Sequence, residues 1–157
     1  MNKIEFKPPM INGVSASQVF LPHDRDQTIQ TVFQYLYKHF AHILEQEWRQ
    51  RFTEGLIYDS TGQILSVDSP YQASTHIFYY RFLAHEIHVP FEHQILFENE
   101  HLLIVDKPHF LTISPTGQYV QETLLVRLKN QTGIEELSPI HRLDRETAGI
   151  VLFSKKA

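Results

Sequence analysis

The residues best suited to chemistry lie in a polar stretch at 139–149, directly before the apolar run at 150–153. Here Arg142 and Arg145 flank Asp144. Opposite charges nearby favour an ionised carboxylate, and such a carboxylate can act as a nucleophile or a base. Loops carried by rigid strands are where catalytic groups often lie. A purely structural arginine–aspartate network at a strand edge explains the same pattern, so spacing alone leaves both interpretations open.

The stretch resembles the HRLDxxTSG motif of the RluA-type pseudouridine synthases. Ala148 stands where that family more often has serine, and six residues match: His141, Arg142, Leu143, Asp144, Thr147 and Gly149. The preceding sequence follows the order of the family's catalytic domain. It has a strand pair at 95–105, an Asp-Lys-Pro turn at 106–108, a short strand at 110–113, a Pro/Gly turn and a helix at 122–128. The resemblance covers roughly residues 88–157.

The resemblance implies an enzyme that isomerises uridine to pseudouridine in structured RNA, ribosomal or transfer RNA, without a cofactor or a metal. It implies that Asp144 is the catalytic residue. By the same resemblance the RNA-binding residues are Arg142, His141 and Arg145, and the structural ones are Thr147, Gly149, Lys107 and Pro108. Thr147 would fix the loop through its hydroxyl. For Arg142 the alternative is a simple salt bridge to Asp144, and for His141 it is ordering of the loop.

The N-terminal half predicts a small α/β module. Residues 1–25 are punctuated by proline and serine and predict an irregular arm. Asp26 is expected to cap a helix with one apolar stripe as far as Phe40, and a second helix at 45–54 is expected to end at Gly55. A hairpin over residues 56–65 and a strand at 77–83 follow.

The order of two helices and short strands resembles the S4-like RNA-binding domain, with Arg49 and Arg51 near the junction. A small α+β domain with a solvated mixed-charge surface is the alternative, because acidic residues lie beside both arginines. We therefore expect an α+β protein in two parts. Residues 1–84 form the S4-like module, and residues 85–157 form the first part of a catalytic domain with a mixed or antiparallel sheet.

Composition limits the partners. The net charge of −4 does not favour nucleic acid, although residues 139–157 hold four basic side chains against two acidic ones. The chain has no cysteine for a disulfide or a thiolate metal site. The histidine pairs at 39/42 and 85/88 have no third ligand at a recognisable spacing, so no metal is expected. With no secretory signal and no run of about 20 apolar residues, we expect a cytoplasmic protein without a membrane partner.

Members of the resembling family continue well beyond the motif strand, with a tyrosine, a basic residue and much of the central sheet. The resemblance therefore implies that this chain is the N-terminal part of a synthase and is inactive alone. We expect self-association through residues 150–153, taken as an unpaired apolar strand that needs cover on both faces. The alternatives are a non-catalytic RNA-binding remnant and an interaction domain without an RNA role.

Overall fold

The computed structural model describes residues 6–83 and 85–156, and the architecture is α+β with two antiparallel sheets. Its contacts divide the described residues into two compact units. The first unit contains residues 6–9 and 16–80, and the second contains residues 10–15 and 81–156. The sequence had not indicated that residues 10–15 belong with the second unit. Within the described ranges, no helix is long and apolar enough to cross a membrane.

The first unit is a three-stranded sheet with two helices. Its elements are β1 (Ser17–Leu21), α1 (Val32–His39), α2 (Glu45–Thr53), β2 (Ile57–Asp59) and β3 (Thr75–Tyr79), with strand order β1-β3-β2. Leu36 of α1, Trp48 of α2 and Ile77 of β3 are almost completely buried in one core. The unit therefore has a hydrophobic core of its own.

Helix α1 begins at Val32, so the expected cap at Asp26 is wrong. The N-cap is Thr31, whose Oγ1 accepts a hydrogen bond from the Gln34 N–H at 3.1 Å. The Val32 N–H donates to the carbonyl of Ser69, and Thr31 forms an isolated antiparallel β-bridge with Pro70. These pairings hold the residues directly before Val32 in an extended conformation, so these residues cannot be part of the helix.

Strand β1 was also not expected, since it lies in the predicted irregular arm. Its signal is only the short apolar run Val19 to Leu21, whereas its pairing with β3 covers five residues. Helix α2 and the hairpin after it are confirmed. Gly55 follows the helix with a φ of +71°, and the Asp59 N–H donates to the Gln63 carbonyl at 2.9 Å.

The second unit is a four-stranded sheet with one helix. Its elements are β4 (Gln94–Glu98), β5 (Leu102–Lys107), α3 (Leu124–Thr132), β6 (Ser138–Pro139) and β7 (Gly149–Ser154), with strand order β4-β5-β7-β6. The side chains of Leu103, Leu124 and Phe153 are fully buried in a common core. Thr123 caps α3 through its hydroxyl, and Gly133 ends the helix with a φ of +72°.

Strand β7 is an inner strand, which corrects the expectation of an unpaired apolar edge. It pairs with β5 along its whole length and with the short β6 at one end. Val151 and Phe153 are fully buried, whereas Ile150 is 56% exposed. Among the described residues, this sheet is therefore covered on one face, and the second face of β7 is open at Ile150.

Candidate active site

The motif residues form the loop between β6 and β7, and the start of this loop is tied to β7. The Ile140 N–H donates to the Leu152 carbonyl at 2.9 Å. The Leu152 N–H donates to Nε2 of His141 at 3.1 Å. The His141 ring therefore ties the start of the loop to β7, a contact that fits the loop-ordering role, while contact with RNA stays a prediction.

The next residues alternate between core and solvent. Leu143 packs against the core of the second unit, whereas Asp144 is exposed. The Thr147 N–H donates to the Asp144 carbonyl at 3.0 Å and closes a turn. The Thr147 hydroxyl makes no hydrogen bond within the described ranges, so the contact that closes this turn comes from the Thr147 backbone. A Cβ on Gly149 would lie 3.2 Å from Leu143 Cδ1, so glycine allows β7 to start beside Leu143.

A buried lysine links this loop to the end of β5. Lys107 is fully buried, and its Nζ donates to the carbonyls of Pro108 and Leu111, both at 2.9 Å, and of Arg145 at 3.2 Å. Burial lowers the pKa of Lys107, and the negative charge of Glu146 partly opposes that effect. One amine thus binds the turn after β5 and the residue that follows Asp144.

The two arginines of the motif do not pair with Asp144. In the described part of the chain, no salt bridge reaches the Asp144 carboxylate. Nη1 of Arg145 donates to Tyr119 Oη at 3.3 Å, and the guanidinium carbon lies 5.6 Å from the Tyr119 ring centroid. Nη2 of Arg145 is 3.5 Å from Glu146 Oε1. Arg142 is exposed and has no hydrogen bond or ion pair to another described residue. The expected ion pairs around Asp144 are therefore not formed.

Asp144 lines an open cleft with a volume of about 670 Å³. Residues 112–116 form one wall of the cleft and residues 142–145 form the other. The first wall is fixed to α3, because the N–H groups of Leu124 and Leu125 donate to the carbonyls of Thr112 and Ile113, each at 2.9 Å. Three residues with hydroxyl groups thus line one wall, and an aspartate and two arginines line the other. Such a set suits a polar, anionic ligand.

The sequence did not indicate the wall at 112–116 or the contact of Arg145 with Tyr119. The two partners in that contact are 26 residues apart in the chain. A spacing of this kind follows neither the helical nor the strand period, so local patterns carry no signal for it.

Two carboxylates fix the segment before β4 to the start of α3. Glu86 accepts hydrogen bonds from the N–H groups of three consecutive residues, Val120, Gln121 and Glu122. The Glu122 carboxylate accepts from His88, the Val89 N–H and Arg127. Burial opposes ionisation of Glu122, but these hydrogen bonds outweigh it and lower its pKa to about 2.

The arginines of α2 lie against aromatic rings. Arg51 is only 8% exposed, and its guanidinium carbon lies 4.6 Å from the Trp48 ring centroid. Arg49 lies over the Phe33 ring at 4.8 Å and pairs with Glu45 at 3.1 Å. A phosphate contact through Arg51, as an S4-like module would use, is therefore blocked by burial.

The histidine pairs have other contacts. His39 stacks on the Tyr35 ring at 5.1 Å, and His88 Nδ1 is 3.0 Å from Glu122 Oε1. Among residues 6–83 and 85–156, no group of three or more His, Asp or Glu side chains is placed to hold a metal ion.

Known proteins share the sequence around this site. A family model described as RNA pseudouridylate synthase matches residues 101–157. An uncharacterized RNA pseudouridine synthase of Synechocystis sp. is 34% identical over 116 residues, which are 74% of this chain and 40% of that protein. RNA pseudouridine synthase 5 of Arabidopsis thaliana is 26% identical over an alignment of 159 positions, which covers 94% of this chain and 42% of the relative. The tRNA pseudouridine(31) synthase of Saccharomyces cerevisiae is 40% identical over 63 residues, 40% of this chain and 15% of the relative.

The chain spans about two fifths or less of the length of these relatives. The segment matched by the family model contains β5, α3, β6, β7 and the loop that carries Asp144. This part of the chain therefore belongs to the RNA pseudouridylate synthase family.

Proposed function

We propose that this protein converts uridine to pseudouridine in a structured ribosomal or transfer RNA, with Asp144 as the catalytic residue. One observation carries the proposal. Asp144 is exposed at the wall of a cleft without a salt bridge to any described residue, while its neighbours Leu143 and Arg145 are fixed by the core and by Lys107. The printed names of the relatives support RNA as the substrate.

The reaction breaks the C1′–N1 bond of the uridine, turns the uracil and rejoins it through C5, and the hydrogen on C5 is released. An ionised carboxylate can serve as the nucleophile or as the base. Either role is helped by a loop whose backbone is held in place, and Leu143 and Arg145 are held on the two sides of Asp144. The Asp144 carboxylate itself is exposed and forms no salt bridge among the described residues, so its oxygens are open to a substrate.

The target uridine must leave its stack, at a cost of a few kcal/mol. A planar guanidinium beside the cleft can stabilise the opened strand by stacking and by phosphate contact. Arg142 suits this task because it is exposed and has no partner among the described residues.

We also propose that the first unit assists RNA binding, as the resemblance to an S4-like domain implies, in a cytoplasmic enzyme. With Arg51 buried on Trp48, this contribution would come from exposed cations such as Lys38 and Arg49. Arg49 is already paired with Glu45, so we expect the first unit to contribute less to RNA binding than the cleft.

Binding of RNA without turnover is the second candidate function for residues 1–157. The observation that favours it is the exposure of Asp144 in an open cleft, because active sites usually exclude water around the reacting atoms. We therefore expect residues 1–157 alone to bind RNA and to leave uridine unchanged.

Release of tritium from RNA labelled at uridine C5 separates the two candidates. A form extended to the full length of the relatives is assayed beside residues 1–157, and RNA binding is measured for both by fluorescence anisotropy. We expect both to bind RNA and the extended form to release tritium. Binding without release by the extended form would favour the RNA-binding remnant, and a lack of binding would contradict both candidates.

A further inference from the structure

We propose that Tyr119 is a positioning residue of the RNA-binding cleft. Its ring and hydroxyl hold the Arg145 guanidinium at the cleft wall, where the charge meets an RNA phosphate beside the target uridine. The inference rests on the proposed function, because it takes RNA as the ligand of the same cleft. It adds a residue that lies outside the motif.

Tyr119 is a well-fixed support. The N–H groups of Thr116 and Tyr119 each donate to the other residue's carbonyl at 2.9 Å, which closes a narrow turn. The next residue, Val120, is almost fully buried, and its N–H donates to the Glu86 carboxylate at 2.6 Å. The backbone is thus held on both sides of Tyr119, and the ring has little freedom to follow a moving partner.

Arg145 is restrained at both ends and still reachable from solvent. Its carbonyl is bound by buried Lys107, and its guanidinium contacts the Tyr119 ring and hydroxyl. Its side chain remains 41% exposed. The Glu146 carboxylate at 3.5 Å is itself 63% exposed, so it holds the guanidinium only weakly against a competing anion.

Phosphate is the group that this arrangement fits. A guanidinium binds phosphate through parallel N–H donors, and an arginine that is already ordered loses less conformational entropy on binding. The same contact with Tyr119 directs Arg145 away from Asp144, so the charges of two adjacent residues do not neutralise each other. Arg142, by contrast, has no partner among the described residues and must be ordered by the RNA itself.

A double-mutant cycle on RNA affinity tests the coupling. Residues 1–157 are titrated with a hairpin RNA that carries an unpaired uridine, at several salt concentrations, as the wild type, Tyr119→Leu, Tyr119→Phe, Arg145→Gln and the Tyr119→Leu/Arg145→Gln double variant. Tyr58→Leu, a half-buried tyrosine of the first unit, is the matched control. Thermal unfolding checks that each variant folds.

We expect Arg145→Gln to weaken binding and to reduce the slope of log K against log salt by about 0.7, the loss of one phosphate contact. Tyr119→Leu should raise Kd about two- to fivefold with little change in slope, since the charge stays and only its position is lost. Tyr119→Phe should raise Kd by about twofold, because it removes only the hydroxyl. The double variant should bind no more weakly than Arg145→Gln.

Equal losses from Tyr119→Leu in the presence and absence of Arg145 would overturn the inference, and so would unchanged affinity in Tyr119→Leu or a wild-type chain that binds no RNA. If Tyr119→Leu does not fold, the same comparison is made with Tyr119→Phe in the wild-type and Arg145→Gln backgrounds. A chain that shows the coupling while the extended form releases no tritium would keep this inference and refute the proposed enzyme. Tritium release without this coupling would refute the inference and keep the proposed enzyme.

Discussion

Both units place an arginine on an aromatic ring, but the two arginines differ in how far solvent reaches them. Arg51 of the first unit lies 4.6 Å from the Trp48 ring and is 8% exposed. Arg145 of the second unit lies 5.6 Å from the Tyr119 ring with a side chain that is 41% exposed. The first cation stabilises a core, and the second remains available to a ligand. Burial, more than residue type, therefore decides which arginines can contact RNA.

The acidic partners of the arginines differ in the same way. Arg49 and Glu45 form a pair on α2 with both side chains more than half exposed. Arg127 and Glu122 form a pair with both side chains less than one fifth exposed, at 2.6 Å. An exposed helical pair contributes only a few tenths of a kcal/mol, whereas a shielded and fully hydrogen-bonded pair contributes much more to holding a segment in place.

The largest effect on stability is expected at the buried cation of the second unit. Lys107→Met should lower the free energy of unfolding by about 2–4 kcal/mol, because the carbonyls of Pro108, Leu111 and Arg145 lose their donor. Urea unfolding measures this change, with the exposed Lys38→Met of the first unit as the control. A loss no larger than that of the control would show that Lys107 does not hold the loop.

The next effect depends on pH. The pKa of Glu122 is lowered to about 2, so its contribution is complete above the ordinary value of 4.5 and is lost as pH falls from 4.5 towards 2. Glu122→Gln should therefore lower the free energy of unfolding by up to about 3 kcal/mol at pH 7, and by progressively less below pH 4.5. Urea unfolding from pH 7 to pH 3 measures this, with Glu45→Gln as the exposed control. A cost that does not change with pH would contradict the assignment.

A smaller effect is expected on RNA affinity. Arg142→Ala should weaken RNA binding about tenfold with little loss of stability. Arg142→Lys should recover little of the affinity, because a point charge lacks a planar face. Arg51→Ala should instead lower the free energy of unfolding by about 1–2 kcal/mol and leave the RNA affinity unchanged. Equal affinities of the Arg142→Lys variant and the wild type would show that charge alone suffices.

The smallest expected effect is weak self-association through the second sheet. Its edge strand β4 exposes Leu96 and Phe97 by about half, whereas β7 lies inside the sheet. Light scattering at several concentrations should show an apparent mass that rises with concentration, and Leu96→Lys should reduce this rise by placing a charge on the edge. A constant monomeric mass for the wild type would refute the association.

Local chemistry made part of this structure predictable from sequence. Gly55 follows α2 with a positive φ as expected, and the expected turn at Lys107 and Pro108 follows a strand whose side chains alternate in burial. The start of α1 was not predictable in this way, because the segment before the Thr31 cap is paired with residues near Ser69, far along the chain. Strand β1 likewise depends on β3, which lies far along the chain.

The candidate site likewise has one part that was predictable from sequence and another part that was not. Its loop was recognised from contiguous residues around Asp144, since those residues are read together in the sequence. The contacts within that loop could not be predicted in this way. The direction of the Arg145 side chain depends on Tyr119, and the position of the Arg145 backbone depends on Lys107. Contacts between residues so far apart in the chain leave no local period.

The most direct test of the catalytic role of Asp144 is the rate of tritium release from C5-labelled RNA by Asp144→Asn in the form extended to the full length of the relatives. Asp106→Asn, an exposed aspartate on β5, is the control. Asp144→Asn should bind RNA as the wild type does and release no detectable tritium, because an amide is neither a nucleophile nor a base at this position. The control should retain the wild-type rate. Wild-type release by Asp144→Asn would contradict the assignment of Asp144 as the catalytic residue.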